Sequence, residues 1–246
     1  MVTLLYHSKA VGWVTDRIAA QSDGKIQSIC DKTIEEGSFI EGRVIHWDSR
    51  KDVRGDEVVN SPEAVKLSRN KKKTRKILDE LAPLTLFTLK DIQDSFFAPY
   101  PIVIRPGRHY GGNNFFLCND IREVKIAIKK CKNWYATEFI DKDREYRVFI
   151  YKGEPIKVVR RLPPENDGDI WNANQGGSSV RVKVASWPRK VVELAVIAAK
   201  RIGLGWAAVD IITVDDYGQW VLELNTAPGI HRESTQRQFA RVFTND

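Results

Sequence analysis

The 246-residue sequence predicts an α+β fold in which antiparallel sheets are covered by amphipathic helices. Alternating apolar runs come in adjacent pairs that read as hairpins, "EYRVFIYKGEPIKVVRR" and "AAVDIITVDDYGQWVLELN". Helical periodicity falls in separate blocks between them. The resulting order of strand, helix, strands, helix, strands is not the strict alternation of a doubly wound parallel sheet. With 42% hydrophobic and 10% aromatic residues, the chain can bury one large core or two modest ones.

The first 60 or so residues read as a small mixed unit, with apolar runs at 3–6 and 39–47 flanking a helical stretch at 11–20. The polar segment "DSRKDVRGDEVVNSPEA" reads as a boundary, and Ser61-Pro62 as a helix start with a capping hydroxyl. "NKKKTRKILDEL" is helical, with Ile77, Leu78 and Leu81 on one face. The strand "YPIVIRPG" and the bend "GRHYGGNN" follow. Asp120 with Glu123 forms a capping box for a helix through Cys131, whose stripe is Ile121, Val124 and Ile128. "WYATEFI" is a strand. "RKVVELAVIAAKRIG" is a nearly all-apolar helix closed by Gly203, hence a buried one. A short helix after Gly229 ends the chain.

Several function classes lack their signatures. The longest apolar stretch, 191–199, is too short to span a bilayer, and "MVTLLYHSKA" lacks the basic and apolar regions of a secretion signal. Cys30, Cys118 and Cys131 form no Cys-x-x-Cys pair, so reduced thiols in a bacterial or host cytoplasm are expected. No P-loop and no His-Glu-x-x-His pattern occurs. Gly203-Leu-Gly205-Trp-Ala-Ala208 fits the dinucleotide fingerprint formally, but it follows a helix and precedes a strand, the reverse of what that motif needs. A net charge of +7 suits a partner rich in phosphate or carboxylate, or simply a basic soluble surface.

The last hairpin is the most informative segment. If residues 215–218 turn and Val214 pairs with Gln219, Asp210 falls opposite Glu223, with Asn225 on the same face. Like charges at β-carbon separations of about 4.5–5.5 Å destabilise a sheet. Either the face is simply solvated, or a divalent cation neutralises it. Oxygen donors of this kind select Mg²⁺ or Mn²⁺, which keep positions open for phosphates. Candidate phosphate contacts are Arg105, at a strand end beside Gly111 and Gly112, and the lysine run Lys71–Lys73 at a helix start. Arg160 and Arg161 could clamp a phosphoryl group or a substrate carboxylate, or be ordinary surface charge.

Taken in order, these pieces resemble the ATP-grasp superfamily of carboxylate–amine ligases over roughly 60–229. "VNSPEAVKLSRNKKKTRKIL" resembles the helix whose lysine reaches ATP phosphates, with Lys71 the better match and Lys72 the alternative. "YPIVIRPGRHYGGNN" resembles the phosphate-covering strand and glycine loop, with Arg105 where the family normally has lysine. "ATEFIDKDREYRVFI" resembles the adenine hinge (Glu138, Phe139, Ile140) followed by the ribose acid, Glu145. "KVVRRLPPENDGDIWNANQGGSSVRV" is similar to the segment of ribosomal-protein glutamate ligases that brings an arginine, here Arg160 or Arg161, and an asparagine, here Asn174, to the reacting phosphate. "WAAVDIITVDDYGQWVLELNTAPG" matches the metal motif through Asp210, Glu223 and Asn225, with Ala208 where D-alanine ligases often carry arginine. "GSFIEGRVIHWDSR", "EYRVFI" and "NTAPGI" also look like small phage-encoded ATP-grasp proteins.

The resemblance implies an ATP-grasp fold: a reduced N-terminal α/β unit over 1–60, then a domain over 61–246 whose subdomains, about 61–137 and 138–246, clasp ATP. It implies Mg-dependent joining of a carboxylate to an amine, of amino-acid or peptide type, through an acyl phosphate. A macromolecular acceptor also fits the charge. A phosphotransferase acting on a hydroxyl is the rival on the same fold, and a non-catalytic nucleic-acid-binding protein is the rival from another class.

Overall fold

The computed structural model describes residues 1–94, 100–109, 112–166, 168–171, 173–215 and 217–245, with the side chain of Asn174 left aside. The chain opens with β1 (Val2–Tyr6), α1 (Lys9–Ala19), β2 (Ile26–Cys30), β3 (Phe39–Trp47) and β4 (Arg54–Val59). These strands form a four-stranded sheet in the order β2-β1-β3-β4, and every pairing in it is parallel. The segment read from the sequence as a boundary therefore contains a strand. β4 is an edge strand whose alternate residues are charged and exposed, which disguises it and also protects the edge.

Two short helices follow, α2 (Pro62–Arg69) and α3 (Lys71–Leu78). Ser61 accepts a hydrogen bond from the Ala64 amide at 3.1 Å, and Asn70 accepts one from Lys73 at 3.2 Å, so both helices are capped by side chains. The buried face of α3 is Lys71, Thr74, Arg75 and Leu78, while Ile77 is exposed. The apolar stripe expected there is displaced because this helix turns two cations inward.

A four-stranded antiparallel sheet comes next, built from β5 (Thr85–Leu86), β6 (Ile102–Pro106), β7 (Phe116–Cys118) and β8 (Trp134–Glu138), in the order β5-β8-β6-β7. The helices α4 (Leu89–Asp94) and α5 (Ile121–Lys130) accompany it. Asp120 caps α5 through the amides of Arg122 and Glu123, and Glu123 answers by accepting from Asn119.

The largest sheet is five-stranded, β11-β10-β9-β12-β13, with antiparallel pairings throughout. Its strands are β9 (Arg144–Tyr151), β10 (Glu154–Leu162), β11 (Ser178–Arg181), β12 (Trp206–Val214) and β13 (Gly218–Asn225). One face packs on α6 (Arg189–Ile202), with Val148, Ile150, Val158, Val209 and Ile211 meeting Leu194, Ala195 and Ala198. That helix is amphipathic rather than wholly buried, since Ile197 is 49% exposed. Gly203 closes it at φ 80°, a left-handed position that costs other residues strain.

The opposite face of the sheet carries an aromatic core that ties both ends of the chain together. Trp47 of β3 stacks on Trp206 of β12 at 4.8 Å, and Phe239 and Phe243 of α7 (Glu233–Thr244) close over them. Asn60 adds polar tethers, donating to Trp206 O at 2.9 Å and accepting from Trp206 N at 2.9 Å. Each such buried polar group is satisfied, as burial requires. The N-terminal sheet is thereby fastened to the sheet that carries the acidic hairpin.

Candidate active site

The register of the last hairpin determines what its carboxylates meet. Val214 pairs with Gly218 and Thr213 with Gln219, one residue away from the pairing expected. A β-bulge between Asp210 and Ile211 on the β12 side, opposite Leu222, then restores the relationship, and Asp210 sits across from Glu223. Without that bulge Asp210 would oppose Leu222. The bulge is held from α3: Arg75, itself 7% exposed, donates to the Leu222 carbonyl at 2.6 Å. One turn earlier, Lys71 lies 3.3 Å from the Glu223 carboxylate and 3.4 Å from the Leu224 carbonyl. The inward cations of α3 therefore grip the strand that carries Glu223.

On its other side Asp210 is flanked by β9, where Arg147 is its cross-strand partner. Arg147 binds it through Nε and Nη2, at 2.6 and 2.8 Å, and Arg161 of β10 adds a third bond at 2.9 Å. Asp210 is 2% exposed, so these charges are paired out of water. Burial opposes the charge of Arg147, yet Asp210 overcomes it and raises the guanidinium further. Burial likewise opposes ionisation of Glu223, but Lys71, the hydrogen bond from Asn225 and the Arg147 charge hold its carboxyl well below the usual range. Asn225 donates to Glu223 at 2.8 Å, leaving its own amide oxygen available.

Lys71, Arg75, Asp210 and Glu223 line a cleft of about 280 Å³ between the two antiparallel sheets. Of the sequence-derived nucleotide contacts, Lys71, Arg105, Gly112, Glu138, Phe139, Ile140 and Glu145 all line it, together with Asp210 and Glu223. Gly111 lies outside the described residues. Lys72 turns the other way, over the rings of Phe87 and Trp134, so the structure places Lys71 and not Lys72 in the cleft. The hinge amides differ in availability. Glu138 N donates to Leu84 O and Phe139 N to Pro101 O, whereas Ile140 N has no backbone partner among the described residues. Glu145 is held by Lys142 at 2.7 Å and by Arg161 at 3.3 Å. Lys142 in turn sits under the Trp171 ring at 4.6 Å.

A second cleft, of about 450 Å³, adjoins the first, and Glu223 and Trp171 line both. Its walls are cationic: Arg147, Lys157, Arg161, Arg181 and Arg232. Asn225 opens into this second cleft. Of the paired candidates on β10, Arg161 lines it; Arg160 is exposed, lines neither cleft and is corrected on that ground, because neighbouring side chains on a strand point to opposite faces. Asn174 belongs to a short 3₁₀ turn, Ala173–Gln175, and its side chain lies outside the described part.

Sequence reading missed Arg75, His109, Lys142, Arg147 and Lys157. His109 is buried against Tyr135, 3.1 Å from its hydroxyl, and burial followed by the Arg105 charge pushes its ring down to about 3, so it is neutral. For Arg147 a signal existed: the alternation that places Glu145 on the cleft face places Arg147 there too. For Arg75 the signal is its spacing of four from Lys71 on one helix.

Among the described residues, no three His, Cys, Asp or Glu side chains come together as a metal cage. The donors present are two carboxylates and an amide oxygen. Each carboxylate is partly engaged by cations, with acceptor capacity remaining. That set suits a magnesium ion held jointly with substrate phosphates and not by protein alone.

Comparison with known proteins shows the family and the fold. A probable α-L-glutamate ligase of Legionella pneumophila (strain Corby) is 30% identical over 193 residues, covering 73% of this chain and 62% of that protein. The chain thus spans under two thirds of the length of that relative. A D-alanine–D-alanine ligase of Acinetobacter baylyi is 27% identical over 157 residues, 59% of this chain and 50% of that protein. In three dimensions, the D-alanine–D-alanine ligase of Bacillus anthracis complexed with ATP superposes with a TM-score of 0.65 at 14% identity, over 99% of this chain and 94% of that one, which shows a common fold. The family model of the RimK-like ATP-grasp domain matches residues 61–239, and the chain belongs to that family.

Proposed function

We propose that the protein is an ATP- and magnesium-dependent ligase that joins a carboxylate to an amine, of amino-acid or peptide type. The observation that carries this reading is the meeting of the two clefts at Glu223: a carboxylate seated among the arginines of the second would lie beside the phosphate end of the first. The names of the relatives, a glutamate ligase and a D-alanine ligase, support it.

In this reading Ile140 N and the neighbouring hinge carbonyls take the base, Glu145 the ribose, and Lys71, Arg105, Gly111 and Gly112 the phosphates. Asp210, Glu223 and Asn225 would hold Mg²⁺ or Mn²⁺, which screens the triphosphate and polarises the transferring group. Arg161 and Arg147 steer the substrate carboxylate and balance the charge on the transferring phosphoryl group. They also fill the place that Ala208 leaves without an arginine, and Asn174 would complete that end of the site. The carboxylate oxygen attacks the γ-phosphorus, ADP leaves, and an amine then displaces phosphate from the acyl phosphate. No protein nucleophile is required; positioning and electrostatics carry the rate.

A kinase acting on a hydroxyl needs a basic carboxylate beside its acceptor. Here Asp210 is taken up by two arginines, Glu223 is held well below the usual range and so is a poor base, and the relatives are ligases, so the hydroxyl kinase is not favoured. Residence in a cytoplasm fits ATP use, and no helix among the described residues is long and apolar enough to cross a membrane. The test is ATP turnover with panels of amino acids and peptides in the presence of hydroxylamine. A trapped hydroxamate supports the ligase, while turnover with hydroxyl acceptors and no hydroxamate would replace it with a kinase.

A further inference from the structure

An amide-forming ligase must take a proton from its amine, because an amine in neutral water is mostly an ammonium with no lone pair to attack with. The second cleft is where that amine would arrive, and most of its titratable wall cannot accept a proton. Arg147, Arg161, Arg181 and Arg232 stay charged. Burial, then the charges of Arg181 and Arg232, push the Lys157 amine down only to about 8, so at pH 7 it still carries its proton. That amine is also committed to Thr235, to which it donates at 2.9 Å. Glu223, against the cost of burial, is held well below the usual range by Lys71. Among the described residues lining the cleft, the remaining titratable side chain is His231.

His231 follows the segment "NTAPG" by one residue, and its ring is placed from two directions. The Trp13 ring of α1 lies against it, with centroids 5.1 Å apart and planes at 33°. Trp13 is itself fixed, since its indole donates to Ala10 O at 3.1 Å and the Arg17 guanidinium lies 5.3 Å from its ring centre. The imidazole also folds back over Gly229. A β-carbon at that position would come within 3.3 Å of the ring's Nε2, so the glycine leaves the ring its room. Ile230, between the two, is buried in the apolar core against which Trp13 packs. The N-terminal unit thereby reaches the wall of the second cleft. Imidazole is the side chain that most readily exchanges a proton near neutrality.

We propose that His231 is the base of the amine step and that Trp13 positions its ring. The proposal rests on the ligase reading. The uncharged imidazole takes one proton from the ammonium, and the freed lone pair forms the C–N bond to the acyl carbon. The carbon–oxygen bond to phosphate breaks with its electron pair on the phosphate, which leaves with the second proton from nitrogen. The imidazolium then returns its proton to water. The earlier step, carboxylate attack on the γ-phosphorus, releases no proton and needs no such base.

Two nucleophiles separate the steps. Common L-amino acids and dipeptides are screened as carboxylates with ATP and Mg²⁺ at pH 7. The acceptor is either hydroxylamine, which is unprotonated there, or glycinamide, which is mostly protonated and has no carboxylate of its own. His231→Gln should lose about a hundredfold in glycinamide ligation, the scale of a general base, while hydroxamate formation falls less than threefold. That retained hydroxamate shows that the variant is folded and still activates the carboxylate. Added imidazole should restore part of the ligation rate to His231→Ala. Trp13→Leu should lower ligation about tenfold with the same sparing of hydroxamate. Ligation by His231→Gln within threefold of the parent overturns the inference and leaves the ligase reading standing. So does an equal loss of ligation and hydroxamate, or a loss of ligation alone in Lys157→Met with His231→Gln unaffected. A parent that forms no hydroxamate with any of these acids brings down the ligase reading and this inference with it.

Discussion

Arg147 holds Asp210 by two parallel bonds from one edge of its guanidinium, Nε to Oδ1 at 2.6 Å and Nη2 to Oδ2 at 2.8 Å, across adjacent strands of one sheet. The same aspartate faces Glu223 on its other side. Three neighbouring strands thus carry a row of arginine, aspartate and glutamate, with Lys71 closing the far end from α3. Two acids tolerate each other here because cations bracket them. A metal ion would join an arrangement that is already balanced.

Arg147→Met leaves that aspartate buried with one partner fewer. Breaking a buried pair costs about 3–5 kcal/mol. Urea denaturation should show a loss of that order, and Arg147→Lys should recover only part of it because a point charge cannot replace the two-pronged contact. Stability within 1 kcal/mol of the parent would mean that the pair is not formed.

Glu223→Gln is the cleaner test of the metal assignment. Asp210→Ala would remove a like charge, but it would also strip Arg147 of its two-pronged acceptor and Arg161 of one of its carboxylate partners, so lost activity could reflect lost structure. Gln is nearly isosteric and keeps a hydrogen-bonding oxygen. Calorimetry should find no Mg²⁺ binding to the protein alone, tight binding with a non-hydrolysable ATP analogue, and a loss of tenfold or more in that step for Glu223→Gln. Turnover should fall by at least a hundredfold. Unchanged magnesium dependence would remove Glu223 from the set of ligands.

The hairpin and the capped helices were legible because each carries a local chemical signature: Ser61 and Asp120 as caps, Gly203 as a stop, an apolar run at 206–214. The Asp210–Glu223 pairing was legible too, although by a register that the structure corrects through the Leu222 bulge. The edge strands β4 and β11 were not. β4 exposes half of its residues and β11 all of them, so neither shows apolar alternation. Arg75 was not singled out, because composition cannot reveal that a lysine-rich helix turns its cations inward. Ile77 was misplaced for the same reason.

Glu145→Gln should weaken nucleotide binding through more than one contact. Its carboxylate anchors Lys142, which lies under Trp171 and donates to Asp169 O at 2.9 Å. Losing the charge loosens that wall of the cleft as well as the ribose contact. ATP affinity should fall about tenfold, the price of one charge-assisted hydrogen bond. Tryptophan fluorescence should report Trp171 moving. Unaltered affinity with unaltered fluorescence would count against the hinge register.

Lys157 supplies a pH signature for the second cleft. Burial, then the charges of Arg181 and Arg232, push its amine down to about 8, against about 10.4 for an unperturbed lysine. Below 8 the folded protein carries the full cost of keeping that amine charged. Between 8 and about 10.4 the unfolded chain still holds a proton that the folded chain has released, so stability contributed at this site rises with pH. Lys157→Met abolishes that slope. Denaturation at pH 7, 8.5 and 10 should therefore show the parent gaining on the variant as pH rises, and a constant gap would mean that the amine is not depressed. An anion seated among Lys157, Arg181 and Arg232 offsets the part of the shift that the two arginine charges cause. The carbon resonance of a labelled Lys157 should titrate near 8 in the free protein and move upward once a carboxylate ligand occupies the cleft.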